Sequence, residues 1–369
     1  MIRFLLLGLG SIIAAQAAVI AADSERGGQL FGSLSCIQCH SINGEGGKVS
    51  VDLGRRIDRD FTPVSLAGTM WNHAPTMWTA MRDRQIGAGV LDEQAAADLF
   101  AYFYSVRFFD KPGDAGRGKA LFSSKRCADC HGIESAKIPE AKPVSQWEAL
   151  GHPIVLASAL WNHGPSMREE FDKRNVRRPE LTTQELSDIL VYLRNLPGTR
   201  KVTAQFATSA GAGGKELFES KGCIKCHVGG LALEPRLKGK TLTDIAVEMW
   251  NHQPKMATVP ARLDPEEMRE LVSYLWAQQF FTESGNAGSG KRVFAAKHCN
   301  DCHGDASSGA PKLSGTGRSF SSVTIVSTLW RHGPKMLEQM TSKGFPWPRF
   351  EGREMADLLA YLNDENRVK

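Results

Sequence analysis

All eight cysteines of this 369-residue chain are used in four copies of one five-residue pattern. They fall as Cys36/Cys39, Cys127/Cys130, Cys223/Cys226 and Cys299/Cys302, and a histidine follows each pair directly: His40, His131, His227 and His303. Two thiols about one helical turn apart can reach the two vinyl groups on one edge of a porphyrin. The next residue then lies beneath the iron, where its imidazole can bind as proximal ligand. Zinc would need further ligands at the right spacing, and a redox dithiol needs no histidine after it. Four complete copies with no spare cysteine therefore predict four covalent haem c groups. The eight cysteines would hold the porphyrins and the four histidines would be the proximal iron ligands.

The haem pattern sits inside a longer repeat, which governs the architecture. Each unit opens with Gly-x-x-x-Phe: Gly27/Phe31, Gly118/Phe122, Gly214/Phe218 and Gly290/Phe294. After the haem motif and a variable loop comes Trp-x-His-x-Pro-x-Met, spanning 71–77, 161–167, 250–256 and 330–336. Each unit closes with an amphipathic segment holding Tyr102, Tyr192, Tyr274 or Tyr361. The apolar residues there recur at helical spacing, and acidic or hydroxyl residues lead the first turn. Phe and Tyr are expected to pack together where the small glycine lets first and last helices approach. The distance from the motif His to the Tyr is the same in units one, two and four, while unit three has lost a short segment.

These features together resemble the class I cytochrome c domain. The Gly-x-x-x-Phe helix, Cys-x-x-Cys-His, a downstream Met and a closing helix with its Tyr carry the resemblance over nearly the whole chain. It implies an all-α fold: four tandem class I cytochrome c-like domains, each a small helical bundle around one covalent haem. A unit this small has a thin core, which a buried porphyrin would supplement. The expected division is a signal peptide over 1–22 and domains over 23–110, 111–198, 199–282 (with 199–213 as linker) and 283–369. The short joints between units one and two and between three and four, against the longer Pro197–Gly214 stretch, suggest two packed pairs, or else a loop lying flat on the surface.

Two recurring side chains compete for the far side of the iron. Met77, Met167, Met256 and Met336 are favoured, because Met256 lies just ahead of the last helix, as the distal Met does in class I domains. His73, His163, His252 and His332 are the alternative. The intervening Pro75, Pro165, Pro254 and Pro334 are expected to break the helix near the His, leaving the His beside the ligands and the Trp N–H aimed at a propionate.

The first residues carry Arg3, an apolar run from Phe4 to Ala15 and small residues suited to cleavage after Ala17 or around Ala21–Ala22. That is a secretory leader pattern, so the expected location is periplasmic, with no integral span after cleavage. The formal charge of +5 does not indicate nucleic acid, since no basic block exists. Loss of Arg3 removes one charge. Each ferric haem, two propionates against a core of about +1, adds about −1. The expected function is electron transfer between redox protein partners, with both axial positions filled and no catalytic residues. The alternatives are a cytochrome subunit of a dehydrogenase or reductase complex, or an enzyme with one open haem. An enzyme should show one unit stripped of distal candidates, and none is.

Overall fold

The computed structural model describes residues 20–54, 62–87, 89–106, 112–147, 150, 153–197, 199, 213–233, 235–237, 239–256, 261–278, 285–304 and 309–366. The leader up to residue 19 and most of the 199–213 linker lie outside the described residues, as do parts of both short joints.

The chain is all-α, with one two-stranded ribbon (Ser41–Ile42, Glu45–Gly46) among the described residues. Among the described residues the helices of seven or more residues come in four trios. These are α1 (Ser24–Ser33), α2 (Pro63–Asp83) and α3 (Glu93–Ser105); α4 (Ala115–Ser124), α5 (Pro153–Lys173) and α6 (Thr183–Arg194); α7 (Gly214–Ser220), α8 (Leu242–His252) and α9 (Pro265–Ala277); α10 (Ala287–Ala296), α11 (Ser322–Ser342) and α12 (Glu354–Glu365). Local chemistry sets where they start. Asp23, Asp114 and Asn286 cap α1, α4 and α10 with side-chain oxygens, and capping boxes at Thr62, Thr182, Thr241, Asp264 and Ser321 open α2, α6, α8, α9 and α11. The segment missing from unit three is helix: α8 has 11 residues where α2, α5 and α11 have 21.

In every trio the first helix packs on the last. The crossing is at the glycine of Gly-x-x-x-Phe. A Cβ on Gly27, Gly118, Gly214 or Gly290 would overlap the backbone of Asp98, Asp188, Glu270 or Asp357 and the Cβ of the unit's Tyr. The expected Phe–Tyr pairs form beside it, with ring centroids at 5.8 Å (Phe31–Tyr102), 6.2 Å (Phe122–Tyr192), 6.4 Å (Phe218–Tyr274) and 5.4 Å (Phe294–Tyr361).

The same acid, one helical turn before the Tyr, ties the two helices together. Asp98, Asp188 and Asp357 accept the backbone N–H of the first helix's cap residue at 2.7 Å, and Glu270 accepts that of Gly213 at 3.2 Å. Asp188 is 2% exposed. Its bond from the Arg117 guanidinium, joined by the Asp114 N–H and the Gln184 amide, holds the carboxyl below the usual carboxylate range. A carboxylate whose folded pKa lies below its unfolded value stabilises the fold above the unfolded pKa, and that contribution is lost as pH falls through the folded one. Asp188→Asn is thus expected to cost about 1–3 kcal/mol at neutral pH and to flatten the acid limb of stability below about pH 4. Urea melts at pH 7 and pH 3 measure both.

The units do not pair in the order the joints suggest. The Trp-x-His-x-Pro helices cross each other, α2 against α11 and α5 against α8, so unit one packs on unit four and unit two on unit three. Small or fitted residues after the motif His sit at these crossings. A Cβ on Gly333 would meet Trp78, and one on Gly164 would meet Gln253. Tyr104 of α3 stacks on Trp276 of α9 at 4.7 Å and joins the two pairs.

The motif Trp and Asn make these contacts. Trp71 Nε1 donates to Pro348 O, Trp161 to Ala261 O, Trp250 to Pro179 O and Trp330 to Gly89 O, at 2.8–3.0 Å. Each acceptor belongs to the partner unit, three residues before its last-helix cap or in the equivalent place. The indoles are therefore directed at a neighbouring backbone and not at a propionate. The next residue, Asn72, Asn162 or Asn251, bonds both the C=O and the N–H of Phe350, Leu263 or Leu181.

The expected helix break at the prolines is also absent: α2, α5 and α11 run through Pro75, Pro165 and Pro334. A helical proline leaves the carbonyl four residues back without its partner. The crossing unit supplies one. Trp347 Nε1 donates to Trp71 O at 3.0 Å, and Gln253 Nε2 donates to Trp161 O. Only in unit three does the helix stop at the His, passing into a turn over Gln253–Lys255.

Candidate haem sites

Each haem motif begins where the first helix ends. The residue before the first Cys is left-handed in all four units: Ser35 (φ 64), Arg126 (φ 67), Gly222 (φ 79) and His298 (φ 61). That kink turns the chain into a single tight turn. In it His40, His131, His227 and His303 donate their backbone N–H to the first Cys carbonyl at 2.8–2.9 Å. The two sulfurs and the imidazole thus lie within one turn, as the spacing requires.

None of the eight cysteines is bridged to another. The two members of each pair differ in their surroundings. Cys36, Cys127, Cys223 and Cys299 pack against the hydrophobic cores. Of the second cysteines, Cys39, Cys130 and Cys302 are half-buried and Cys226 is exposed. The reason is the turn itself: its first residue follows directly on the packed helix, and three residues later the chain has moved away from it. Burial pushes the thiols of Cys36, Cys127 and Cys299 up to about 11, and raises Cys223 as well. Among the described residues no group of three or more His, Cys, Asp or Glu is arranged to hold a bare ion.

The imidazoles of the four Cys-x-x-Cys-His turns are oriented alike. Their Nδ1 atoms face backbone carbonyls: His40 with Val51 O at 3.0 Å, His131 with Lys142 O at 3.0 Å, His227 with Leu231 O at 3.2 Å and His303 with Pro311 O at 2.8 Å. A carbonyl there fixes the proton on Nδ1 and leaves Nε2 as the metal-binding lone pair. Trp147 braces His131 edge-on at 5.0 Å and donates to the same Lys142 carbonyl at 3.2 Å.

Across from three of these rings stands the motif histidine. His73 lies 6.3 Å from His40, His163 lies 6.2 Å from His131, and His252 lies 6.0 Å from His227, centroid to centroid, with ring planes 72°, 65° and 55° apart. His332 occupies the same register on α11 that His73 has on α2. His163 and His252 keep much of their surface exposed, and local desolvation followed by the facing His131 or His227 lowers both from the usual histidine range. Met77, Met167 and Met336 sit one helical turn beyond their histidines, and Met256 follows the turn after α8. All four are half-buried, and Met167 packs against the main core.

The residues present fit a porphyrin. Sulfurs and imidazole are gathered in one turn, and an opposing donor stands across a gap. A half-buried guanidinium also has two buried nitrogens with no hydrogen-bond partner among the described residues. It belongs to Arg178 and lies 3.6 Å from the Trp250 ring centroid. Burial brings its pKa down to about 10. That stranded charge suits a propionate. Sequence reasoning missed Arg178, the carbonyls that orient the proximal rings and the acids at 98, 188, 270 and 357. The acids had a signal, since each lies four residues before the shared Tyr. The carbonyls had none, because any residue type carries one.

Residues 115–197 match the family described as Cytochrome c, and residues 285–362 match Cytochrome C oxidase, cbb3-type, subunit III. Comparison with curated proteins and with solved structures finds no match. The two family matches fall on the second and fourth repeats, so the chain carries cytochrome c domains there, which supports a haem-based electron-transfer role.

Proposed function

We propose that the chain is an exported, periplasmic tetrahaem electron carrier, with one haem c in each of four cytochrome c domains and both axial positions filled at every iron. The supporting observation is the fourfold recurrence of one turn: a left-handed residue, two unbridged thiols and an imidazole whose Nδ1 faces a carbonyl. Cys36 with Cys39, Cys127 with Cys130, Cys223 with Cys226 and Cys299 with Cys302 hold the porphyrins through thioethers. His40, His131, His227 and His303 bind iron on the proximal side. When bound, the haem supplies a one-electron couple with little change in coordination. The chain's residues keep Nε2 available and set the units in two pairs. Donor and acceptor are redox proteins, and no step calls for a catalytic side chain. Among the described residues no helix is long and apolar enough to cross a membrane.

Intact mass of the denatured holoprotein is expected to equal the processed chain plus four porphyrins. A mass with free thiols only would refute the reading. The reduced protein is expected to be nearly inert to carbon monoxide. Rapid binding of one equivalent would mark an open haem and favour an enzyme.

A further inference from the structure

We infer that the distal iron ligand in this chain is the histidine of Trp-x-His-x-Pro-x-Met, giving bis-histidine haems at His40/His73, His131/His163, His227/His252 and His303/His332, and that Met77, Met167, Met256 and Met336 are not ligands. The inference rests on the four-haem reading above and deepens it.

The gap between the rings carries the assignment. A metal–imidazole bond is about 2 Å, and the ring centre lies about 1 Å beyond the nitrogen. Two imidazoles binding one iron from opposite sides therefore stand about 6 Å apart centre to centre. The observed separations are 6.3, 6.2 and 6.0 Å. Contact between stacked rings would be closer, and unrelated side chains would not repeat one spacing in three units. The space fits one iron in the plane of one porphyrin.

The helix excludes the methionines from the same point. Because α2, α5 and α11 are unbroken at Pro75, Pro165 and Pro334, His and Met stand on one face a turn apart, about 6 Å along the axis. Bringing the Met to the iron would require sliding the helix by that turn. The sliding is blocked by the two residues before the His, which are bonded to the partner unit: Trp71 and Asn72 to Pro348 and Phe350, and Trp161 and Asn162 to Ala261 and Leu263. Unit three makes the point independently. Its helix ends at His252, which frees Met256 to go elsewhere, yet it is His252 that faces His227 at 6.0 Å. In the fourth unit Trp330 is likewise bonded to the partner unit, at Gly89 O, although Arg331 replaces the Asn, and His332 is assigned by its register on α11.

Imidazole pairs are more basic donors than imidazole–thioether pairs, so the potentials fall in a lower range than Met ligation would set. The steep angles between ring planes, 55–72°, further predict a strongly anisotropic low-spin ferric signal.

The test uses the intact ferric holoprotein. Electron paramagnetic resonance and near-infrared magnetic circular dichroism are expected to show imidazole–imidazole iron throughout, with no sulfur-to-iron charge-transfer band. Met167→Leu and Met256→Leu are each expected to leave those spectra unchanged. His163→Ala is expected to let the reduced protein bind one equivalent of carbon monoxide per chain. A sulfur band in the unmodified protein that Met167→Leu or Met256→Leu removes would overturn the assignment. If His163→Ala does not accumulate, the unmodified protein and the Met variants still decide. A chain mass without porphyrin would instead overturn the four-haem reading itself.

Discussion

Replacing Gly27 by alanine is expected to cost at least about 3 kcal/mol, at the upper end of what overpacking a core does. The new methyl group would overlap the Asp98 carbonyl and the Tyr102 Cβ. These atoms belong to backbone and to the root of a side chain, so neither can swing aside, and α1 and α3 must separate. Separation weakens the Phe31–Tyr102 packing and the bonds from Asp23 N–H and Arg26 to Asp98. The control lies five residues along the same helix. Gly32 has nothing near its Cβ position, so Gly32→Ala is expected to be neutral or to stabilise by up to about 1 kcal/mol through helix propensity. Denaturant melts of the two variants give opposite shifts. Equal losses would mean that close approach of the helices is not what the glycine provides.

Gly27 also shows what the sequence made legible. The repeat of Gly-x-x-x-Phe and a later Tyr indicated a close helix crossing, because both partners lie inside one unit and recur in register. The trios of helices and the turn at each Cys-x-x-Cys-His were readable for the same reason. What crosses from one unit to another was not. The Trp of the distal motif reads as part of the haem pocket because four copies suggest a duty each unit needs for itself, and the Asn beside it in three copies carried no reading of its own. Their partners are backbone groups of Pro348, Phe350, Ala261, Leu263, Pro179 and Leu181, and a backbone acceptor leaves no mark in a sequence. The proline misled in the same way. Its effect on an isolated helix is a break, but Trp347 and Gln253 take up the carbonyls it strands at Trp71 and Trp161. Nor did the spacing tell the half-buried Cys223 from the exposed Cys226, since solvent access depends on the helix before the turn. Short joints likewise suggested pairing of neighbours. Connection length limits which units can touch but does not select among them, and the apolar faces of the distal helices brought one to four and two to three.

This pairing gives the distal motif two roles in adjacent residues: Trp and Asn hold the partner unit, and the next residue faces the proximal imidazole. A disturbance at the interface should therefore register at the haem. In the lower-numbered member of the pair formed by units two and three, Asn162 Oδ1 accepts the Leu263 N–H at 2.9 Å, and in the other Asn251 Oδ1 accepts the Leu181 N–H at 3.1 Å. Leu263 and Leu181 are both buried.

Asn251→Ala is expected to cost about 2–5 kcal/mol, because it leaves the N–H and the C=O of Leu181 without their partner in a place water reaches poorly. The Leu181 amide should then exchange its hydrogen markedly faster, while that of Leu263, still held by Asn162, changes less. Adding Asn162→Ala is expected to cost less than the sum of the two single changes, since both load one helix crossing and the first loss already loosens it. The haem-linked readout separates a local lost bond from a released helix. On the proposed bis-histidine reading, His252 directly follows Asn251, so in the variant the third haem is expected to admit carbon monoxide that the parent is expected to exclude, with the other three unchanged. A variant that loses stability but still excludes carbon monoxide at all four haems would show that the clamp holds the units together without positioning the imidazole. The sharing of one helix between interface and iron would then be an accident of packing.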